Sequence, residues 1–297
     1  MAVAWVFPGQ GSQKQGMAEA VLALPGARQR FALASERLGR DLLAICSGSL
    51  EGEGLLNLHD TRNTQPALFV VESLLVDALH AQGRRPEIVA GHSLGELVAL
   101  YAAGVFDADT GLALMQRRSE LMGAAGGGAM TAVIGFDPDQ LRELVEATVG
   151  VVIANDNSAA QVVLSGTPEA VAAVTGALRC KRAIPLAVSG AFHSPFMEEA
   201  ALHFATTLDE VPFAEASVPV LSNADPTPEQ NGEALKARLK RQMTSGVRWR
   251  ETMDRLSVEG VCTAVEIGPG NVLSGLLKRA CPDLETAQVA TAADLGQ

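Results

Sequence analysis

The pentapeptide Gly91-His-Ser-Leu-Gly95 stands directly after the apolar run Ile88–Ala90 and opens the helical stretch Leu94–Ala103. Strand, tight turn and helix in that order are the context of a nucleophile elbow. A serine on such a turn projects its hydroxyl from strained backbone. The N-terminus of the following helix offers free N–H groups to a developing oxyanion. That combination serves acyl transfer through a covalent serine ester. The same five residues also read as a Gly-rich strand-to-helix turn with a capping serine, in a chain that holds 29 glycines.

Around this turn, apolar runs alternate with amphipathic ones. Strands are expected at Val3–Phe7, Ile88–Gly91, Val218–Ser222, Thr263–Ile267 and Thr286–Val289. Helices are expected at Gln65–Ala81, Leu94–Ala103, Asp109–Met122, Glu198–Leu208, Glu233–Gln242, Trp249–Val258 and Val272–Arg279. Such alternation predicts an α/β domain around a mainly parallel sheet. After Gly126–Gly128 the order changes. Strands at Ala129–Ile134, Val151–Asn155, Gln161–Gly166 and Ala183–Val188 enclose helices at Pro138–Thr148 and Pro168–Leu178. This β-α-β-β-α-β series is the ferredoxin-like unit. A small subdomain is therefore expected at 128–197, inserted between two parts of a larger one at 1–127 and 198–297. A groove between them is a natural ligand site.

Composition removes several function classes. With 47% hydrophobic and 19% charged residues over 297 positions, the chain has ample core. A net charge of −11 argues against nucleic-acid binding. No apolar run reaches the length of a membrane span, and Met1–Gly11 lacks the basic start of a signal peptide and carries Pro8. Cys46, Cys180, Cys262 and Cys281 lie far apart, which suits reduced thiols in a cytoplasmic protein. The five histidines show no metal-ligand spacing, so no metal is expected.

A serine nucleophile needs a base. His92 adjoins Ser93, but neighbours on an elbow point in different directions. His193, in Gly190-Ala-Phe-His-Ser-Pro-Phe-Met197, sits at the end of the inserted unit, where the groove should lie. It reads as a general base worth ~10²–10⁴-fold, or as a histidine that only satisfies a helix start. No Asp or Glu is marked by context as a third triad member.

Six motifs occur in one order: Phe7-Pro-Gly-Gln-Gly-Ser-Gln13, Thr64-Gln-Pro-Ala67, Gly91-His-Ser-Leu-Gly-Glu96, Gln116-Arg-Arg-Ser-Glu-Leu-Met122, Gly190-Ala-Phe-His193 and Glu266-Ile-Gly-Pro-Gly270. Together they resemble the malonyl-CoA:acyl-carrier-protein transacylases of type II fatty-acid synthesis, whose pattern the acyltransferase domains of polyketide synthases share. The resemblance runs from Val3 to about Val289. It implies an α/β-hydrolase-like large subdomain with an inserted ferredoxin-like one. It implies a Ser93–His193 dyad, with backbone carbonyls orienting the imidazole in place of an acid. Gln10 and Leu94 match the two oxyanion-hole residues, which act through backbone N–H groups. Arg118 matches the arginine that pairs with the malonyl carboxylate, and Gln65 a glutamine that holds that network. Phe192 matches the malonyl-selective form of its motif, where methylmalonyl-selective domains more often have Tyr-Ala-Ser-His. One departure falls in Ser245-Gly-Val-Arg-Trp249, where Arg248 stands in place of a glutamine found in some members. The role usually assigned there is a backbone carbonyl that accepts from the histidine. No metal or tightly bound cofactor is implied.

Charge supports this reading independently. A guanidinium fork binds a carboxylate through two parallel bonds, each worth ~1.5–3 kcal/mol. That pair separates malonyl from acetyl by roughly two orders of magnitude or more. Arg117, the neighbour on the same helix, points about a quarter-turn away. For both arginines the plain alternative is an ordinary helical surface. From Lys236 to Arg250 there are six basic residues (Lys236, Arg238, Lys240, Arg241, Arg248, Arg250) and no acid. The run reads either as a docking patch for an acidic acyl carrier protein or as a solvated helix face. Arg179, Lys181, Arg182, Lys278 and Arg279 are candidates to extend it. Malonyl-CoA and the holo carrier are the expected substrates. A serine thioesterase, a carrier-binding protein without activity and an acyltransferase of a polyketide or malonate-decarboxylase system remain as alternatives.

Overall fold

The computed structural model describes residues 2–50, 52, 54–188 and 190–296. In chain order the strands are β1 (Ala2–Phe7), β2 (Ile88–Gly91), β3 (Ala129–Phe136), β4 (Val151–Ser158), β5 (Gln161–Gly166), β6 (Cys180–Pro185), β7 (Val220–Leu221), β8 (Val261–Ile267) and β9 (Glu285–Val289). The α-helices are α1 (Ala27–Leu38), α2 (Leu42–Ser47), α3 (Thr61–Ala81), α4 (Gly95–Ala102), α5 (Ala108–Ala124), α6 (Pro138–Ala147), α7 (Pro168–Ala177), α8 (Glu198–Asp209), α9 (Gly232–Gln242), α10 (Trp249–Val258) and α11 (Val272–Ala280).

Five strands form a parallel sheet in the order β7-β2-β1-β8-β9. Its centre is buried on both faces. Trp5 and Phe7 of β1 enter one apolar cluster, while Ala4 and Val6 enter another on the opposite side. A strand covered twice must be apolar throughout, which is how Val3–Phe7 reads. The other four strands form an antiparallel sheet, β4-β5-β3-β6, with its own apolar cluster around Val133, Leu141, Leu164 and Val174. Its connectivity is the 4-1-3-2 arrangement of the ferredoxin-like unit. The fold is thus α/β, an α/β-hydrolase-like part joined to a ferredoxin-like one.

The elbow is built by close packing. A Cβ on Gly91 would lie 1.9 Å from the Gly95 carbonyl carbon, and one on Gly95 would lie 2.3 Å from the Phe7 oxygen. Both obstacles are backbone, so the start of α4 rests directly on the ends of β1 and β2.

Several boundaries differ from the sequence expectation. Helix α3 begins at Thr61, capped by the Asp60 side chain, so Pro66 lies inside it. Proline has no N–H for the carbonyl four residues back. The Arg62 carbonyl takes the Arg40 guanidinium instead, at 2.7 Å. β7 is two residues long rather than five. β6 ends at Pro185, whereas the apolar run reaches Val188. Leu186 and Val188 continue past the sheet and line a cavity. Helix α1 was not expected, although Ala27, Phe31, Ala34 and Leu38 mark one buried face. Among the described residues no helix is long and apolar enough to cross a membrane.

Gly91→Ala is expected to lose stability at or above the ~1–3 kcal/mol of a forced core insertion. Gly176→Ala, in the last turn of α7 with open space around it, should be neutral or slightly stabilising. Chemical denaturation of both variants checks the contrast.

Candidate active site

Ser93 has φ 54° and His193 φ 55°, and among the described residues no other non-glycine residue has positive φ. Left-handed backbone at such residues costs ~1–3 kcal/mol and persists where the surroundings over-determine it. At Ser93 the surroundings are Asn223, just past the end of β7. Its Oδ1 accepts the Ser93 N–H at 2.6 Å, and its Nδ2 donates to the Gly91 carbonyl at 2.5 Å. The turn is clamped at both ends by one side chain.

His193 lies between β6 and α8. Its Nε2 stands 2.7 Å from Ser93 Oγ, and its Nδ1 stands 3.0 Å from the Gln242 carbonyl oxygen. A carbonyl can only accept, so the proton sits on Nδ1 and the Nε2 lone pair faces the serine hydroxyl. Burial, and then the positive charge of Arg118, push the His193 pKa down to about 3. The imidazole is neutral at physiological pH.

Arg118 is 1% exposed. Its Nη1 donates to Gln65 Oε1 at 2.6 Å, and its Nη2 to Gln242 Oε1 at 2.8 Å and to Ser93 Oγ at 3.2 Å. Burial lowers its pKa to about 10, against the attraction of Glu96, so the guanidinium stays charged at neutral pH. Glu96 is buried beneath the elbow, where Oε2 accepts from Gln242 Nε2 at 2.7 Å and from the Asn223 N–H at 3.0 Å. Burial raises its pKa, opposed by those hydrogen bonds and by Arg118. On the other side, Gln65 Nε2 donates to Thr61 Oγ1, which donates to Gln10 Oε1, both at 2.9 Å. This chain ties the arginine to the loop after β1.

Gln10, Gln65, Ser93, Leu94, Arg118, Phe192 and His193 line one cavity of about 80 Å³. Met122, Met130, Leu186 and Val188 complete its apolar wall. Among the described residues, the backbone N–H groups of Gln10 and Leu94 have no protein acceptor, whereas that of Ser93 is taken by Asn223. His92 also borders the cavity, but its Nε2 meets Asn157 Oδ1 of β4 at 2.8 Å and its ring stands 5.5 Å from that of Trp249. Arg117 does not line the cavity.

Four residues of this network were given no role by the sequence reading: Gln242, Asn223, Glu96 and Thr61. Gln242 is the hub, joined through its side chain to Arg118, Glu96 and the Ser93 carbonyl and through its backbone to His193. It was hidden in a run noticed for its charges. Asn223 had a usable signal, because polar residues just past the carboxyl ends of parallel strands gather at the site. Gln10, Ser93 and Asn223 follow β1, β2 and β7 in this way.

Two expectations are corrected. The carbonyl facing the histidine at 3.0 Å is that of Gln242, the last residue of α9, and within the expected 245–249 stretch it is the Ser245 backbone, not that of Arg248, that also hydrogen-bonds the imidazole. The Arg248 carbonyl instead caps the first turn of α10, accepting from the Thr252 N–H at 3.0 Å. The basic run does not present a free positive patch. Lys236 pairs with Glu233, Arg238 with Asp225 and Glu229, Lys240 with Asp209, Arg248 with Glu251, and Arg250 with Asp156. Most of these acids come from distant segments that the run itself cannot reveal. Of the six cations, Arg241 has no acidic partner among the described residues.

Fold and site together define a serine acyltransferase architecture, and comparison with known proteins agrees. Residues 4–296 match the family described as "Acyl transferase domain", and the chain belongs to that family. It is 50% identical over 295 residues to a malonyl CoA-acyl carrier protein transacylase of Synechocystis sp., covering 99% of each chain. The crystal structure of the Synechocystis malonyl-CoA:ACP transacylase matches with a TM-score of 0.95 at 49% identity, covering 100% of this chain and 99% of that one. A type II PKS acyl-carrier protein in complex with its malonyl-transacylase also matches, with a TM-score of 0.89 at 39% identity over 99% and 98% of the two chains.

The lowered His193 pKa carries a pH consequence. The unfolded chain takes up this proton near 6.5 and the folded one only near 3. Folding stability is therefore expected to fall as pH drops below 6.5, on account of this residue. NMR titration of the imidazole should show no protonation between pH 7 and 5; a midpoint near 6.5 would contradict the buried, charge-facing geometry.

Proposed function

We propose that this chain transfers malonyl groups from malonyl-CoA to the phosphopantetheine thiol of a holo acyl carrier protein, as an [acyl-carrier-protein] S-malonyltransferase of fatty-acid biosynthesis. The observation that carries this reading is a buried, charged Arg118 standing 3.2 Å from the Ser93 hydroxyl in the shared cavity. An acyl group on that oxygen would lie beside a guanidinium whose present partners there are the neutral acceptors Gln65 and Gln242. A malonyl carboxylate supplies the missing negative charge, and an acetyl group does not.

The chemistry is ping-pong. His193 Nε2 takes the Ser93 proton as Oγ attacks the thioester carbonyl. The oxyanion is held by the Gln10 and Leu94 N–H groups, which stabilise charge that is absent from the ground state. The C–S bond breaks, and CoA leaves as the thiol with the proton from His193. The carrier thiol then attacks the malonyl-serine ester with the same base, and the serine recovers its proton. Gln242 holds the imidazole by its carbonyl and the arginine by its side chain. Phe192 narrows the space beside the acyl α-carbon. At Gly190, where methylmalonyl-selective relatives more often carry tyrosine, a Cβ would lie 2.3 Å from the Ala125 oxygen, so this backbone does not admit that side chain.

In this reading the catalytic groups come from a divided chain. Residues 1–127 and 198–297 form the large subdomain, and 128–197 the small one that roofs the cavity with Met130 and Leu186. The second sheet, confined to Ala129–Pro185, supports that division. The four cysteines are all unpaired, which suits work in the reducing cytoplasm.

Arg118→Ala is expected to lower kcat/KM for malonyl-CoA by about 100-fold or more, with a much smaller loss for acetyl-CoA. Steady-state kinetics with both donors checks this. Equal losses would make Arg118 a structural residue and remove the basis for malonyl selection. Ser93→Ala should abolish turnover of either donor.

A further inference from the structure

The Glu266–Gly270 motif has no part in the reaction above, yet it lies against the loop that carries Gln10. Glu266 of β8 is fully buried, and its two oxygens accept from the Leu273 and Ser274 N–H groups at the start of α11, at 3.0 and 2.7 Å. Glu72 of α3 is fully buried as well. Among the described residues neither of its oxygens has a hydrogen-bond partner, and no cation pairs with it. It stands at Gly268, φ 140°, where a Cβ would lie 2.9 Å from both Glu72 Oε1 and Pro8 Cγ. The acid and the proline ring thus flank the same glycine. Two residues on, a Cβ at Gly270 would lie 3.4 Å from Ser12 Cβ. Ser12 closes the turn around Gln10, donating to the Gly9 carbonyl from its N–H at 3.2 Å and its Oγ at 2.9 Å. On the other side Gly9 meets the elbow, where a Cβ would lie 2.6 Å from the His92 oxygen.

A carboxylate sealed from water without a donor, and near a second carboxylate, is costly, whereas a protonated carboxyl is far less so. Burial, and then the charge of Glu266, push the Glu72 pKa well above the usual carboxylate value. Other charged groups on the elements around α3 turn elsewhere. Arg30 of α1 faces Asp77 and Ser73, and Glu96 of α4 and Arg118 of α5 face the elbow network. Asp294 accepts from the Ala290 and Thr291 N–H groups, and α2 carries no charge. We infer that Glu72 is a positioning residue for the oxyanion hole, a neutral carboxylic acid that backs the Pro8–Ser12 turn and keeps the Gln10 N–H at its aim. The inference rests on the transferase reading above, in which that N–H holds the oxyanion. Helix α3 then grips the turn at two points: Thr61 donates to the Gln10 side chain at 2.9 Å, and Glu72 stands behind Pro8. Neutrality suits the place, because a fixed negative charge behind the turn would oppose the oxyanion that the turn holds.

The test compares two variants of the full chain. Glu72→Gln keeps the shape of the protonated acid, and Glu72→Ala leaves a void behind the turn. Steady-state kinetics with malonyl-CoA and holo carrier reads the outcome. Glu72→Gln is expected to keep kcat within about twofold of the parent, and Glu72→Ala to lose about tenfold in kcat with KM for malonyl-CoA nearly unchanged, because a misaimed donor weakens the transition state and not the ground state. Glu72→Asp, one methylene shorter, takes the place of Glu72→Ala should that variant not fold, with the same split in smaller measure. Stability gives a second reading. The unfolded chain gives up this proton near 4.5, and the folded one keeps it to higher pH. The parent should therefore lose stability relative to Glu72→Gln as pH rises above 4.5, which denaturation across a pH series checks. A role as core filler alone would lower the stability of the shortened variants and leave their kcat intact, and that result overturns the inference. Equal loss of kcat in Glu72→Gln and Glu72→Ala overturns it too, as does a Gln variant less stable than the parent at neutral pH, since either would show that the charged form is needed. Failure of the parent protein to form a malonyl-serine would instead overturn the transferase reading, before any variant is made.

Discussion

A guanidinium sealed from water must have its charge answered by its surroundings, and Arg118 sets that demand at the centre of this protein. Four helices converge on the answer. α5 carries the arginine, α3 brings Gln65, α9 brings Gln242, and α4 brings Glu96 beneath them. The direct partners are two neutral amides and the Ser93 hydroxyl, and the buried Glu96 carboxylate, which hydrogen-bonds Gln242, makes no hydrogen bond to the arginine itself. A buried cation held this way is hydrogen-bonded without a direct ion pair, which is the basis on which we propose that it selects an anionic acyl group on Ser93. The same charge acts on the base. It helps keep His193 unprotonated, so the imidazole is ready to accept a proton. In the proposed function, the charge that selects the acyl group therefore also adds to burial in keeping the base neutral.

Backbone strain is the second constraint. Both members of the dyad sit in left-handed conformations, and each is held by groups from other parts of the chain. Asn223 pins the elbow, and the Gln242 carbonyl pins the imidazole. Because Asn223 occupies the Ser93 N–H, the proposed oxyanion hole is left to the N–H groups of Gln10 and Leu94. Rigidity here concerns geometry, since an oxyanion hole works only when its donors are already aimed. The apolar wall of Met122, Met130, Leu186, Val188 and Phe192 limits room for stray water, which favours a thiol arm as the second nucleophile over hydrolysis.

Much of this was legible in the sequence, and the reason is local. The elbow at Gly91–Gly95, the strand before it and the helix after it lie within contiguous segments, so periodicity and spacing express them directly. The β-α-β-β-α-β unit is legible for the same reason. What stayed hidden depends on pairing between distant segments. Gln242 meets Ser93 across 149 residues, and Asn223 meets Gly91 across 132. The basic run on α9 and α10 looked unpaired because Asp209, Asp225 and Asp156 lie outside it. Ala183–Val188 was read as a strand from its apolar character, but its second half is apolar for the cavity. The helix expected from Gln65 starts at Thr61, and the Arg40 side chain, which comes from a separate segment, satisfies the carbonyl that Pro66 cannot.

The most direct test of the account is intact-protein mass after brief mixing with malonyl-CoA, followed by holo acyl carrier protein. A malonyl adduct located on Ser93 that disappears as malonyl-carrier accumulates is the expected result. An adduct lost to water at the same rate with or without carrier would contradict transfer. No adduct on the folded protein would contradict the serine mechanism itself.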